Sequence, residues 1–510
     1  MALGNLMSFP NERVFKKGAY VFFILLFVVG CFVFSDYGIS TDEEVQRGLI
    51  GEINYNFIKT GNSAELLEDS GKYHGPAFEL VLYAAERVFN ITEVRNIYLL
   101  RHALTFLIFF ISSIFFYFLC LKIFKHHAAA LFGVVVLVVS PRIFAESFYN
   151  SKDLPMLCFC IISTYTMFLF VERQTIWLAL IHAACCGFTF DIRIMGLLIP
   201  IATIYLFMFQ KKKKLLPILS FLFYTIIFCI AFWPVLWLNP LFHFVEAFKQ
   251  MSKYPGVGNV LYMGNFISEQ ALPWHYLPVW IGITTPICYI VLFFIGLFFT
   301  IKNTFVNFKS TLPMQVFLFM FASPILAVIV LHSVVYDAWR HVYFVYPFLV
   351  LIAVYGFMQL IQAIKNTIAL KAIFCTVAVS IVFVLFFMVK NHPFQNVYFN
   401  PLAGKDIRKN YELDYWGLSY RQGLEYIVAH DKSPQIYIGL AHIDLDMTCY
   451  LNFRILPKAE FSRLFFTTNF QSANYFLTNF RWHPDDYNIG TSVYQIKVGD
   501  EKIMEVLKLK

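Results

Sequence analysis

Long apolar runs recur through this chain and constrain it more than any motif does. The hydrocarbon core of a bilayer is about 30 Å thick, so a crossing helix needs roughly 17 to 25 mostly apolar residues, and it satisfies its own backbone there. About eleven such runs can be read, at residues 18–35, 97–124, 128–144, 154–171, 176–190, 194–209, 215–238, 277–301, 312–335, 342–364 and 372–389. Composition agrees: 59% of the 510 residues are hydrophobic, 14% are charged and mean hydropathy is +0.64, where a soluble domain carries about a quarter charged residues. The chain reads as a polytopic α-helical membrane protein.

Orientation follows from basic residues in short connections, which stay on the cytoplasmic side. Arg13, Lys16 and Lys17 precede the first span, and Lys122 and Lys125 follow the second. The run Lys211 to Lys214 follows the sixth, Lys302 and Lys309 the eighth, and Lys365 and Lys371 lie before the last. All fall on one side if eleven spans are counted, which puts the N-terminus inside and the C-terminal tail outside. The first span has no small-residue cleavage site after it and reads as an uncleaved anchor. The net charge of +8 is accounted for largely by lysines facing anionic lipid, so no nucleic-acid partner is implied. Nine of the ten cysteines lie in spans, with no zinc spacing and no external disulfide framework.

Within the membrane domain, residues 1–389, two outer loops exceed ordinary connections. The first, 36–96, contains TDEEVQRGLIGEINYNFIKTG, with a helix-start signal, Val45, Leu49, Ile53 and Phe57 at four-residue steps, and Gly61 to close it. This predicts an amphipathic interfacial helix. A second helix is expected from Pro76 to Val88, with proline in its first turn. The other long loop, 239–278, is rich in aromatic residues, proline and glycine, and reads as an interfacial lid. From about residue 390 the composition changes, and 390–510 reads as a small α/β domain on the outer face. LSYRQGLEYIVAH is its helix, PQIYIGLA and ANYFLTNF are strands, and TSVYQIKVGDEKIMEVLKL is a hairpin turning at Gly499.

Ionisable residues near hydrocarbon are costly and tend to mark sites. Each also has a plainer reading. Asp42 and Glu43, just after the first span, are placed to cap the interfacial helix, and Asp153 in NSKDLP to cap a span. Arg193 in FDIRIMG is placed to snorkel toward headgroups. Arg340 and His341 in YDAWRHVYF fit an interfacial belt, and His74 in KYHGPAFE fits a surface histidine. The orientation above puts all of these groups on the same outer side. Two carboxylates there can offer a general base, and two arginines can bind a phosphate and stabilise the charge it gains on leaving.

The acidic pair after span one (STDEE), the later HGP before a helix, NSKDLPM between spans three and four, and IRIMG at the start of a later span together resemble the GT-C membrane glycosyltransferases. The closest branch is the protein O-mannosyltransferases and the lipid A aminoarabinose transferase, and the resemblance covers roughly residues 18–200. It implies a GT-C fold, a polyprenyl-phosphate sugar donor, a glycan, lipid or protein acceptor offering a hydroxyl or phosphate, and an inverting transfer on the outer face of a bacterial inner membrane. It implies no metal or other cofactor. Carried over by position, Asp42 matches the proposed base, Glu43 accompanies it and Asp153 matches the second loop carboxylate. Arg193, Arg340, His74 and Lys72 fall to the donor phosphate, and Tyr149, Lys152 and His341 to the acceptor or lid. HGP departs from the family's double proline at the His74 contact. The competing readings are a transporter or lipid-linked sugar flippase, for which inverted repeats and spans broken near the midplane are expected, and a non-catalytic assembly protein of the same fold.

Overall fold

The computed structural model describes residues 12–252, 258–440 and 447–509. Among them, seven helices are long and apolar enough to cross a membrane: Glu12–Val33, Val94–Phe124, Asp153–Arg173, Ile287–Val306, Phe308–Leu331, Arg340–Ala363 and Thr367–Lys390. Three shorter apolar helices, Ile176–Ile192, Ile194–Met208 and Leu215–Ala231, join them. The innermost are Asp153–Arg173 and Arg340–Ala363, while Glu12–Val33 and Thr367–Lys390 lie at the periphery with their apolar side chains largely outward. Small residues set the closest crossing. A Cβ on Gly296 would meet the Ile352 carbonyl at 1.9 Å, and one on Gly356 would meet the Leu292 carbonyl at 2.2 Å, so two backbones touch where any side chain would part them.

Three runs read as continuous spans are interrupted, each near a proline. Residues 128–144 divide into His127–Val138 and Pro141–Tyr149, bent by 67°. Pro141 has no N–H to continue the ladder and forces Ser140 into extended backbone. The freed Val139 carbonyl accepts from the Tyr289 hydroxyl at 2.9 Å. Residues 277–301 divide at Pro286 into Tyr276–Thr284 and Ile287–Val306. There Asn400 closes the gap, donating its side-chain amide to the Gly282 and Thr285 carbonyls at 2.7 and 2.6 Å. The helix from Leu215 ends at Ala231, short of 238, and a single turn, Val235–Leu238, follows Pro234.

Residues 36–96 contain two main helical stretches. Thr41–Val45, a wider π turn at Gln46–Glu52 and Ile53–Thr60 form one helical path, closed by Gly61 in the left-handed conformation, φ 73°. Ala77–Val88 starts after Pro76. The loop 239–278 contains a helix, Pro240–Ser252, and a hairpin of β1 (Asn259–Tyr262) and β2 (Asn265–Ser268), which turns at Met263 and Gly264, both at positive φ.

The C-terminal domain is a five-stranded sheet of β3 (Ile436–Gly439), β4 (Leu464–Thr467), β5 (Tyr475–Thr478), β6 (Thr491–Val498) and β7 (Glu501–Lys508), in the order β4-β3-β5-β7-β6. β3 runs parallel to β4 and β5, and the β6–β7 hairpin turns at Gly499, φ 62°. The sequence reading missed β4. The helix Tyr420–His430 buries Leu424, Ile427 and Val428 against the sheet.

This domain grips the chain just beyond the first span. Arg421 donates to the Ser35 and Tyr37 carbonyls at 2.5 and 2.9 Å. Asn452 exchanges two hydrogen bonds with the backbone of Ile39, each 2.9 Å, and Thr448 meets Thr41 at 2.6 Å. Residues 35–41 are thereby held from both sides immediately before Asp42.

Candidate active site

A cavity of about 450 Å³ opens at this end of the bundle. Asp42, His74, Lys152, Arg193, Arg340 and His341 all line it, though they come from segments up to three hundred residues apart.

The acidic pair is divided between two jobs. Consecutive helical residues point about 100° apart, so Asp42 and Glu43 cannot share a face. Glu43 is buried: it accepts the Ser40 N–H at 2.7 Å, a helix-capping contact, and lies 3.1 Å from His102 Nε2. Asp42 turns to the cavity and takes Arg340 Nη1 at 2.6 Å.

Asp153 opens its helix but is not its cap. Lys152 is the capping residue, and Asn150, just before it, accepts the N–H groups of Lys152 and Asp153 at 3.3 and 2.8 Å. The Asp153 carboxylate lies behind the cavity wall, paired with Arg193, 3.6 Å from Arg340 and bonded by Asn150 at 3.2 Å. Asn150 is anchored in turn by Glu146, which also receives the hydroxyls of Tyr343 and Tyr415 at 2.6 and 2.9 Å.

The glycines of the sequence motifs have physical reasons. A Cβ on Gly75 would fall 1.2 Å from the Asp191 carbonyl oxygen, so the His74-Gly75-Pro76 turn lies directly on the chain that delivers Arg193. Proline at 75 would meet the same obstruction. Gly196 packs on the Phe190 backbone, where a Cβ would lie 2.5 Å from the amide nitrogen.

The cations are unevenly matched. Arg340 is the most heavily paired: besides Asp42 and Asp153 it meets Asp337 at 3.1 Å, and its guanidinium lies 4.8 Å from each of the Tyr336 and Trp416 ring centroids. Arg193 has Asp153. Lys152 has no carboxylate within ion-pair distance among the described residues, and it donates to His74 Nδ1 at 2.9 Å. Burial, then the neighbouring Arg193, bring the Lys152 ammonium down to about 7. His74 is held well below its ordinary value by the Lys152 charge, by burial and by Arg193, which keeps the ring neutral and able to accept.

Three further residues singled out in the sequence do not line the cavity. Glu43 is sealed behind it. Lys72 turns back to the Leu67 carbonyl and over the Tyr73 ring. Tyr149 is buried beneath the site, its ring beside Tyr37 and Trp416 and its carbonyl bonded by Ser40. Conversely, Asp337, Trp416 and Arg481 are new. Asp337 stands in the same short segment as Arg340, but Trp416 and Arg481 belong to the C-terminal region, and no spacing in the sequence connects them to Asp42. Gln250, from the helix Pro240–Ser252, reaches the cavity wall, and Tyr73 ties that helix down through His243 at 3.1 Å. Among the described residues no group of three or more His, Cys, Asp or Glu side chains is placed to hold a metal ion.

The architecture, a long apolar bundle with a charged cavity at one end and a small α/β domain, has counterparts among solved structures. ArnT from Cupriavidus metallidurans, solved bound to undecaprenyl phosphate, superposes with a TM-score of 0.50 at 13% identity, over 96% of this chain and 98% of that one. The Archaeoglobus fulgidus oligosaccharyltransferase in its apo form gives 0.47 at 10% identity, over 89% and 65%. The oligosaccharyltransferase AglB from the same organism, in complex with an inhibitory peptide and a dolichol-phosphate, gives 0.43 at 11%, over 91% and 70%. A model of the dolichyl-phosphate-mannose-protein mannosyltransferase family matches residues 74–238, the stretch that supplies His74, Lys152, Asp153 and Arg193. No curated protein sequence matches. The chain shares the fold of ArnT, and residues 74–238 are similar to the mannosyltransferase family.

Proposed function

We propose that the cavity takes a sugar linked to polyprenyl phosphate and passes the sugar to an acceptor hydroxyl or phosphate on the outer face of a bacterial inner membrane, with inversion. The observation that carries this reading is that one cavity holds both Asp42 and a cation cluster short of negative charge. Lys152 is a cation among cations, with no carboxylate at ion-pair distance among the described residues, and is the group that a phosphate would stabilise most. Arg193 and the neutral His74 stand beside it. The undecaprenyl phosphate bound by ArnT, which shares the fold, supports the same class of donor.

In this reading the Asp42 carboxylate accepts the proton of the acceptor O–H. The acceptor oxygen bonds to the anomeric carbon as the bond from that carbon to the phosphate oxygen breaks, and the electron pair leaves with polyprenyl phosphate. Attack opposite the leaving group inverts the anomeric centre. Lys152 and Arg193 face the charge that develops on the phosphate, and Arg340 fixes the carboxylate of Asp42. Glycan, lipid and protein acceptors all fit this chemistry. The basic connections on the opposite side of the membrane support the outward placement.

The test is release of polyprenyl phosphate from polyprenyl-phosphate sugars by purified protein supplied with cell-envelope extract. Asp42→Asn is expected to reduce turnover by roughly 10²- to 10⁴-fold, the range for a positioned general base, and Arg193→Ala to lower it as well, with the fold intact. Equal release by all three proteins would remove these residues from the mechanism.

A further inference from the structure

We infer that Arg481, in the C-terminal domain, is a positioning residue for transfer, holding Arg340 and through it Asp42 by way of a bridging Asp337. The inference rests on the reading of Asp42 as the base. Asp337 has one carboxylate oxygen on each arginine: Oδ1 accepts from Arg481 Nη2 at 2.7 Å, and Oδ2 lies 3.1 Å from Arg340 Nη2. Arg340 then offers Nη1 to Asp42 at 2.6 Å. Four charged groups thus alternate in sign from the soluble domain to the base.

The bridge is built at both ends. Asp337 and Ala338 both occupy the left-handed region, at φ 53° and 65°. That conformation is uncommon for side-chain-bearing residues and persists where surrounding contacts fix it, and the two ion pairs of Asp337 are such contacts. Arg481 is fixed as firmly. It donates to the Tyr415 carbonyl at 2.6 Å, its N–H is received by Asn479 at 3.3 Å, and it lies 4.9 Å from the ring of Trp482. Asn479 in turn donates to the Asp414 carbonyl at 3.0 Å. The next residues after Asp414 bring Trp416 over Arg340. Glu412, the nearby acid that could compete for Arg481, is pushed up by burial and then by Asp337, which favours its neutral form, whereas Asp337 makes the direct ion pair with Arg481. Arg481 does not line the cavity, so its own charge acts on the reaction at one remove, through Asp337 and Arg340.

The test compares wild type, Arg481→Ala, Arg481→Lys and Asp337→Asn for kcat and for donor and acceptor KM, with thermal unfolding followed in parallel. Expected for Arg481→Ala is a fall in kcat of roughly ten- to a hundredfold, as small misplacements of catalytic groups produce, with both KM values changed by less than about threefold. Lysine at 481 should recover most of the loss. Asp337→Asn should reproduce it, and the double variant should lose no more than the single ones, because a shared path is not additive. If Arg481→Ala does not fold, Asp337→Asn and Arg481→Lys carry the comparison. Unchanged kcat in Asp337→Asn, or a rise in acceptor KM alone, would overturn the inference and assign Arg481 to docking or acceptor binding. Full activity of Asp42→Asn would instead sink the underlying reading, whatever Arg481 does.

Discussion

Two clusters of carboxylates and cations sit at the same end of the bundle, and only the second lines the cavity described above. In the first, Arg101 is fully buried and lies between Glu79 and Glu86, the latter also 2.9 Å from Arg47, with Ser151 closing on Glu79. Its charges are matched and it does not line that cavity. In the second, Arg340 and Arg193 are matched but Lys152 is not, and the group opens on a space of about 450 Å³. Ser151 of the first cluster precedes Lys152 of the second, so the sealed network fixes the wall from which the open one works. A buried ion network marks scaffold when it closes on itself and function when it leaves a charge facing a cavity.

The sharpest way to break that comparison is Arg101→Met. It leaves Glu79 and Glu86 buried with too little positive charge, which costs about 3–5 kcal/mol when one partner of a buried pair is removed. The expected result is a large drop in thermal midpoint or loss of folded protein, whereas Asp42→Asn at the open cluster keeps the fold and loses turnover. An Asp42→Asn protein destabilised as much as Arg101→Met would show that the two clusters are alike.

A smaller effect sharpens the difference. The Lys152 ammonium, brought down to about 7, is charged below that pH and neutral above it, so an anionic donor binds with proton uptake above pH 7. Donor affinity should therefore fall as pH rises from 7 to 9, by at most about tenfold per unit, 1.4 kcal/mol. Lys152→Arg, always charged, should flatten the profile. A pH-independent donor KM in the wild type would remove Lys152 from phosphate binding. The smallest effect is expected at Lys72, which turns away from the cavity. Lys72→Ala should change stability by no more than about 0.5 kcal/mol and leave donor KM unchanged. A clear loss of donor affinity there would extend the open cluster toward the loop.

Much of the scaffold was legible because its signals are local. Apolar length marks a span, the four-residue steps from Val45 to Phe57 mark a helix, Gly61 and Gly499 mark turns, and the alternation after Thr491 marks a hairpin. The breaks at Pro141 and Pro286 were less legible, because a proline inside an apolar run permits a bend without requiring one. What settled them were the distant partners Tyr289 and Asn400, which take up the freed carbonyls. The site was legible only in outline. Asp42, His74, Lys152, Arg193, Arg340 and His341 were all singled out, and the structure brings all six to one cavity. Glu43 could not be told from Asp42, since adjacent acids at a helix start look alike until one of them is buried against His102.

Local pattern along the chain is enough to specify membrane helices followed by a small α/β domain, and the sequence contains the residues that line the cavity. These follow from hydropathy and backbone periodicity, which act over a few turns. Packing settled which carboxylate faces the cavity, which cation has no carboxylate partner among the described residues, and that Trp416 meets Arg340 while Arg481 reaches it through Asp337. Those outcomes depend on electrostatic contacts and burial between residues hundreds of positions apart, and only packing brings such residues together.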